Sequence, residues 1–195
     1  MGTAVDICNA ALAELGESYT ITAISLPDGS VYARHCSRLY TPCRDEVLAD
    51  HAWGFATKRA LLADSADDPP ASWAFAYALP ADFIRPVSVY PETTSNDESD
   101  AQDYTIEGQN LYTNVEKATL RYVFRVEDAT KYPPYFARAV SKKIAQLLCG
   151  PLAKDVKLRQ VLGGEYLQVL AHAAALDSNA QRVASSYKPA WISDR

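Results

Sequence analysis

Seven side chains in this sequence are of the types that most often carry out catalysis or bind metals. They are His35, His51, His172, Cys8, Cys36, Cys43 and Cys149. His35 and Cys36 are neighbours, but adjacent helical residues point about 100° apart and do not easily share a metal ion. Cys43 and His51 share one helical pattern, but their spacing gives no hydrogen-bond reach of the kind that activates a nucleophile. We therefore expect no catalytic residue, no metal and no cofactor.

The sequence also lacks the short motifs of nucleotide binding, hydrolysis and redox chemistry. It contains no G-x-x-x-x-G-K-[ST], no H-E-x-x-H, no G-x-S-x-G and no C-x-x-C. On one helix Cys36 and Cys43 would lie about 10 Å apart along the axis, too far for a disulfide bond. We expect four reduced, half-buried cysteines in a protein made in a cytosol.

Length, charge and hydropathy limit the classes of protein to which the chain can belong. Its 195 residues, 48% of them apolar, suit one soluble domain or one domain with an elaborate insertion. The net charge of −5 argues against a general nucleic-acid binder, which usually has a strongly basic face. No apolar run approaches the roughly 18 residues of a membrane span, and the first residues lack the basic part of a secretory signal. We expect no membrane partner.

Hydrophobic periodicity predicts helices at both ends of the sequence. The expected helices cover residues 4–15, 30–50, 134–148 and 154–181. Pro42 predicts a kink or a break in the second helix, because proline removes one backbone donor and clashes one turn back. Gly163 and Gly164 predict either close packing or a bend in the last helix.

Period-two patterns predict strands in the middle of the sequence. The expected strands cover residues 73–79, 83–90, 104–106, 111–113 and 120–126. They should pair antiparallel, because no crossover helix separates them, and Pro86 suits an edge strand. The fold class is therefore α+β, with a helical bundle formed by N- and C-terminal helices and a central antiparallel β-sheet insertion. The expected parts are N-terminal helices 1–52, β insertion 53–130, C-terminal helices 131–182 and an extended arm 183–195.

Interface-type residues are abundant outside the strands. The chain has 12 tyrosines against 5 phenylalanines, and tyrosine and arginine are enriched in protein–protein interfaces. Five bases on the helical segments are expected to be exposed and to meet an acidic face of a neighbouring subunit: Arg34, Arg38, Arg44, Lys142 and Lys143.

Residues 91–103 form a polar, acidic stretch. Its acids are Glu92, Asp97, Glu98, Asp100 and Asp103, with no base among them. One interpretation is a solvated loop. The other is a surface with a functional role.

The last residues, 183–195, follow neither a helical nor a strand period, yet they contain large apolar groups. Tyr187, Pro189, Trp191 and Ile192 are expected to form a binding arm, with Trp191 as its anchor. The alternative is that this segment folds back on its own subunit.

A succession of short segments resembles one protein family. The segments are LYTPCRDEVL at 39–48, HAWGFATKRA at 51–60, ALAELGE at 11–17, YALPADFIRP at 77–86, YTIEG at 104–108 and LRYVFR at 120–125. Their order resembles that of the tail tubular protein A family, the head-to-tail adaptors of short-tailed bacteriophages. The resemblance spans residues 4 to about 175 and does not include 91–103 or the segment after 181.

This resemblance implies a structural virion protein without catalysis, assembled in the cytoplasm of a bacterial host. Such adaptors form a ring, commonly of twelve copies, between the portal protein and the tail nozzle or tube, with transient DNA contact in the lumen. The arm would then bind the portal, and the acidic stretch 91–103 would line the DNA channel or face the tail. Two alternatives stay open: a head-completion or tail-terminator neck protein, and a small cytosolic enzyme that uses its histidines and cysteines.

Overall fold

In the computed structural model of the chain, residues 2–24, 29–92 and 100–180 are described. Four helices are present in this part: α1 (Ala4–Glu14), α2 (Val31–Asp50), α3 (Pro134–Leu148) and α4 (Val156–Ala180). Seven strands are present: β1 (Thr57–Leu61), β2 (Ala63–Asp64), β3 (Phe75–Ala78), β4 (Phe83–Pro91), β5 (Tyr104–Glu107), β6 (Asn110–Thr113) and β7 (Ala118–Phe124). The fold class is α+β, as the sequence predicts.

The helix ends follow local sequence signals. Thr3 and Asp6 form a capping box at the start of α1, and Gly16 adopts a left-handed conformation just after it. Ser30 caps α2, and Pro134 occupies the first turn of α3. Of the expected kink or break at Pro42, the break is wrong, because α2 runs through this residue as one helix, and the kink stays a prediction.

The strands form two antiparallel sheets. One has the order β1-β7-β4 and the other has the order β2-β3-β6-β5. Strand β4 is an edge strand whose register shifts on both sides of Pro86, as expected for a residue that cannot donate to a neighbour. The predicted hairpin is also present, with Gly108 at positive φ between β5 and β6.

The three-stranded sheet lies between the helices and the second sheet. On β7, Leu120 and Tyr122 pack into a core shared with Tyr77 and Leu111, whereas Val123 joins the helical core. Helix α3 is the central helix and contacts α1, α2 and α4. Helix α4 is peripheral, and α3 is its main helical neighbour.

Candidate functional site

The four cysteines lie in the interior of the helical part. All four are free thiols and fully buried, so the expected half-burial is wrong. Burial raises the pKa of Cys43 to about 12, which keeps its thiol protonated and unreactive at neutral pH. The thiols of Cys8 and Cys36 share a hydrogen bond that, together with burial, raises the pKa of Cys8. Among the described residues, no group of three or more histidines, cysteines and acids is placed to hold a metal ion.

His51 is the one histidine that the structure places beside a carboxylate in an ion-pair geometry among the described residues. Its Nε2 lies 3.5 Å from Oδ2 of Asp177, which is 2% exposed. The Asp177 carboxylate accepts hydrogen bonds from the Gly54 amide at 2.9 Å and the Tyr135 hydroxyl at 2.8 Å. Within the described part of the chain, His51 Nε2 makes no hydrogen bond. The cluster links α4 to the segment after α2.

A buried lysine of α3 forms ion pairs with residues of α1 and α4. Lys142 of α3 is 6% exposed, and its Nζ donates to Glu14 and to Glu165 at 2.7 Å each. Burial disfavours the ammonium ion, but the hydrogen bonds to both glutamates outweigh it and raise the pKa of Lys142. One charged side chain thereby joins α1, α3 and α4.

A second polar link begins at the next residue of α4, Tyr166. The Tyr166 hydroxyl donates to Asp50 at 2.5 Å, and burial, followed by this hydrogen bond, raises the pKa of Tyr166. Lys143 lies 4.9 Å from the centre of the Tyr166 ring and pairs with Glu46. Together with the contacts of Lys142 and Asp177, these contacts hold α4 from Glu165 to Asp177.

Most of the opposite side of α4 is exposed and uncharged, and its one charged residue, Lys157, lies near the N-terminal end of the helix at the same angle as Ala175. At 100° per residue, one face carries Gln160, Gly164, Leu167, Ala171, Ala175 and Ser178, all of them exposed. Leu167 is 63% exposed on this face. A surface helix normally presents charged side chains to water on the side away from its core. We call these six residues the outer face of α4.

A groove of about 410 Å³ separates the N-terminal half of α3 from the C-terminal half of α4. Its lining is an apolar floor with polar groups at the edge: Pro134, Tyr135, Arg138, Gln168, Val169, His172, Ala173 and Leu176. The Tyr135 ring is held in place by its bond to Asp177 and by stacking on Trp53, with 6.1 Å between ring centres. Leu176 and Leu167 lie on opposite sides of α4, because nine residues turn the helix through about 900°.

The predicted basic surface is only partly present. Arg34 and Arg38 are exposed on α2, as expected. Arg44 is instead 5% exposed and bonded to Asp45 at 2.8 Å, and Lys142 is buried between two glutamates. The Lys143 side chain is 14% exposed. The expected exposure of Arg44, Lys142 and Lys143 is therefore wrong, because each completes an ion pair within the chain.

The other predicted surfaces are described only in part. Exposed Glu92 faces Lys117 with 3.6 Å between the charged atoms, and Asp103 is exposed just before β5. Asp100 is half-buried, whereas Asp97 and Glu98 lie outside the described residues. The predicted arm residues Tyr187, Pro189, Trp191 and Ile192 also lie outside them.

Sequence reasoning missed the residues that fix α4. Asp177, Tyr135 and Asp50 belong to no motif, and their partners are 42 to 123 residues away in sequence. One signal was available: Asp177 follows the buried positions Tyr166 and Ala173 at helical spacing, so an acid stands where an apolar residue is expected.

No protein-family model matches the chain. A search of curated proteins also found no match. Within the described ranges, no helix combines the length and apolar character needed to cross a lipid bilayer.

Proposed function

We propose that this chain is a structural virion protein, a head-to-tail adaptor that forms a ring of twelve copies between the portal and the tail nozzle. DNA passes through the lumen of this ring. The proposal begins with the succession of segments that resembles tail tubular protein A. It assigns the protein to the neck of the virion and gives it no catalytic role.

The observation that supports the proposal most directly is the outer face of α4. A charged lysine and two tyrosine hydroxyls hold the inner side of this helix, so its position is fixed before any partner binds. The outer face then offers Leu167 and small residues, which allow a second backbone to approach closely. We assign this face to the neighbouring subunit of the ring.

A ring uses two different surfaces of each subunit, which meet head to tail and close. Arg34 and Arg38, which are exposed one turn apart on α2, supply the charged rim of this contact. The acidic residues Glu92 and Asp103, with the rest of the stretch 91–103, face the channel or the tail. Residues 187–192 bind the portal.

The test is the assembly state of the purified full chain, alone and with the portal protein from the same genome. Sedimentation velocity gives the mass, and negative-stain electron microscopy gives the shape. We expect a ring with an open centre, or a monomer that closes into a ring on the portal. A protein that stays monomeric with the portal, or that joins only an isolated tail tube, contradicts the adaptor assignment. The second result would instead favour a tail-terminator protein.

A further inference from the structure

The groove between α3 and α4 lies on a different side of α4 from the outer face. We propose that in the free subunit this groove binds residues 187–192 of the same chain. This inference goes beyond the proposed ring and does not depend on it. If the portal also uses these residues, it must compete with the groove for them.

The position of the groove favours the chain's own last residues as its occupant. Leu176, at one end of the groove, lies about one turn before Ala180, the last residue of α4. Residues 181–186 are six residues long and can span up to about 20 Å when extended, enough to turn back along the helix. A segment that is already tethered has an effective concentration in the millimolar range, so modest contacts suffice for binding.

The spacing of the aromatic residues also matches the groove. In an extended strand Tyr187 and Trp191, four residues apart, lie about 13 Å apart. Gln168 and Leu176 mark the two ends of the groove along α4, and their rise along the helix is about 12 Å. One aromatic ring can therefore lie at each end.

The chemistry of the groove fits an aromatic peptide. Val169, Ala173 and Leu176 form an apolar floor, and the Tyr135 ring is already fixed, so little side-chain order is lost on binding. Arg138 is exposed at the edge, where its guanidinium can stack on Trp191. The Gln168 amide can bond to the backbone of the bound segment, which would otherwise lose hydrogen bonds to water.

The charges of residues 181–195 and of the rest of the protein also favour their association. Residues 181–195 contain three bases and one acid, whereas the chain as a whole has a net charge of −5. The body of the protein therefore attracts this segment.

Acrylamide quenching of Trp191 fluorescence in the full chain tests the proposal. The parent protein carries Trp73→Phe, which replaces a half-buried tryptophan conservatively. The remaining Trp53 is 0% exposed and is shielded from the quencher, so the quenchable signal comes from Trp191. We expect quenching several-fold weaker than that of free N-acetyltryptophanamide, at every protein concentration used.

Two matched variants locate the binding surface. Leu176→Glu places a charge in the groove and should raise quenching to nearly the free value, whereas Leu167→Glu, on the opposite side of the same helix, should leave it unchanged. His172→Glu, at the exposed edge of the groove, replaces the first variant if that one does not melt like the parent. Free-like quenching in the parent, an equal effect of Leu167→Glu, or protection that rises with protein concentration would each overturn the proposal. The last result would assign the segment to another copy.

Discussion

The hydroxyl of Tyr135 on α3 donates a 2.8 Å hydrogen bond to the buried carboxylate of Asp177 on α4. The same carboxylate accepts from the Gly54 amide, so it joins the end of α4 to α3 and to the segment that leads into the sheets. A buried carboxylate is stable only when such donors replace its water. This contact therefore fixes the helix that carries both proposed binding surfaces.

Replacing Tyr135 with phenylalanine should remove one of these donors and lower the free energy of unfolding by about 1.5–3 kcal/mol at pH 7. Burial, and then the bond to Asp177, raise the pKa of Tyr135 to about 12. The unfolded chain ionises this group near pH 10, so the native protein should lose stability as the pH rises from about 10 to 12. Urea unfolding of both proteins across this range should show a smaller loss in the variant. Equal losses in the two proteins would mean that the pKa of Tyr135 does not differ between the folded and the unfolded state.

Lys142 and Lys58 offer a comparison between a buried and an exposed ion pair. Replacing Glu14 and Glu165 together with glutamine should cost about 3 kcal/mol, because it leaves the buried Lys142 ammonium group without a negative partner. Lys58→Met should cost at most about 1 kcal/mol, because Lys58 and Asp82 are 42% and 38% exposed and water screens their attraction. Denaturant unfolding of both variants gives the two values. Similar costs would show that Lys142 does not link the helices as described.

The two glycines of α4 should respond differently to alanine. A Cβ at Gly164 meets no atom within 4 Å, so Gly164→Ala should stabilise the isolated chain by about 1 kcal/mol. A Cβ at Gly163 would lie 2.8 Å from Nε2 of Gln146, so Gly163→Ala should gain less, because that side chain must move. Thermal melts of the two variants are the measurement. A larger gain at Gly163 would contradict the observed closeness of α3 and α4.

The arginines of α2 should have two different roles: Arg34 and Arg38 act in ring formation, whereas Arg44 stabilises the folded subunit. Reversing Arg34 and Arg38 to glutamate should weaken ring formation strongly at moderate salt and leave the melting temperature nearly unchanged, since both are exposed. Arg44→Glu should instead lower the melting temperature, because it puts two like charges beside each other in a buried site. Sedimentation and melting of the same samples separate the two effects. Normal rings from the double reversal would leave Arg34 and Arg38 without a role in assembly.

Much of the fold follows from local sequence signals, and the exceptions have physical reasons. The capping box at Thr3, the hairpin at Gly108 and the edge strand at Pro86 each depend on a few neighbouring residues. Strand β1 was not predicted, because its central residues Lys58 and Arg59 are exposed and break the apolar alternation. Local patterns record which residue is apolar, but not which strands pair.

The candidate surfaces were harder to predict for a related reason. Whether a lysine is exposed depends on its partners, and Lys142 finds Glu14 at a distance of 128 residues in sequence. The period of α4 is also weak, since alanine and leucine occur on both its inner and its outer sides. The uncharged outer face therefore becomes apparent only when the inner side is known from its contacts.

The most direct test of the central claim is the assembly of a Leu167→Glu variant of the full chain, compared with Leu176→Glu under the same conditions. Both place a carboxylate on α4, at side chains that are 63% and 42% exposed. In thermal melts both variants should behave like the original protein. In sedimentation velocity with the portal protein, Leu167→Glu should no longer form rings, whereas Leu176→Glu should still form them. Rings of normal mass from Leu167→Glu would contradict the assignment of the outer face of α4 to the neighbouring subunit.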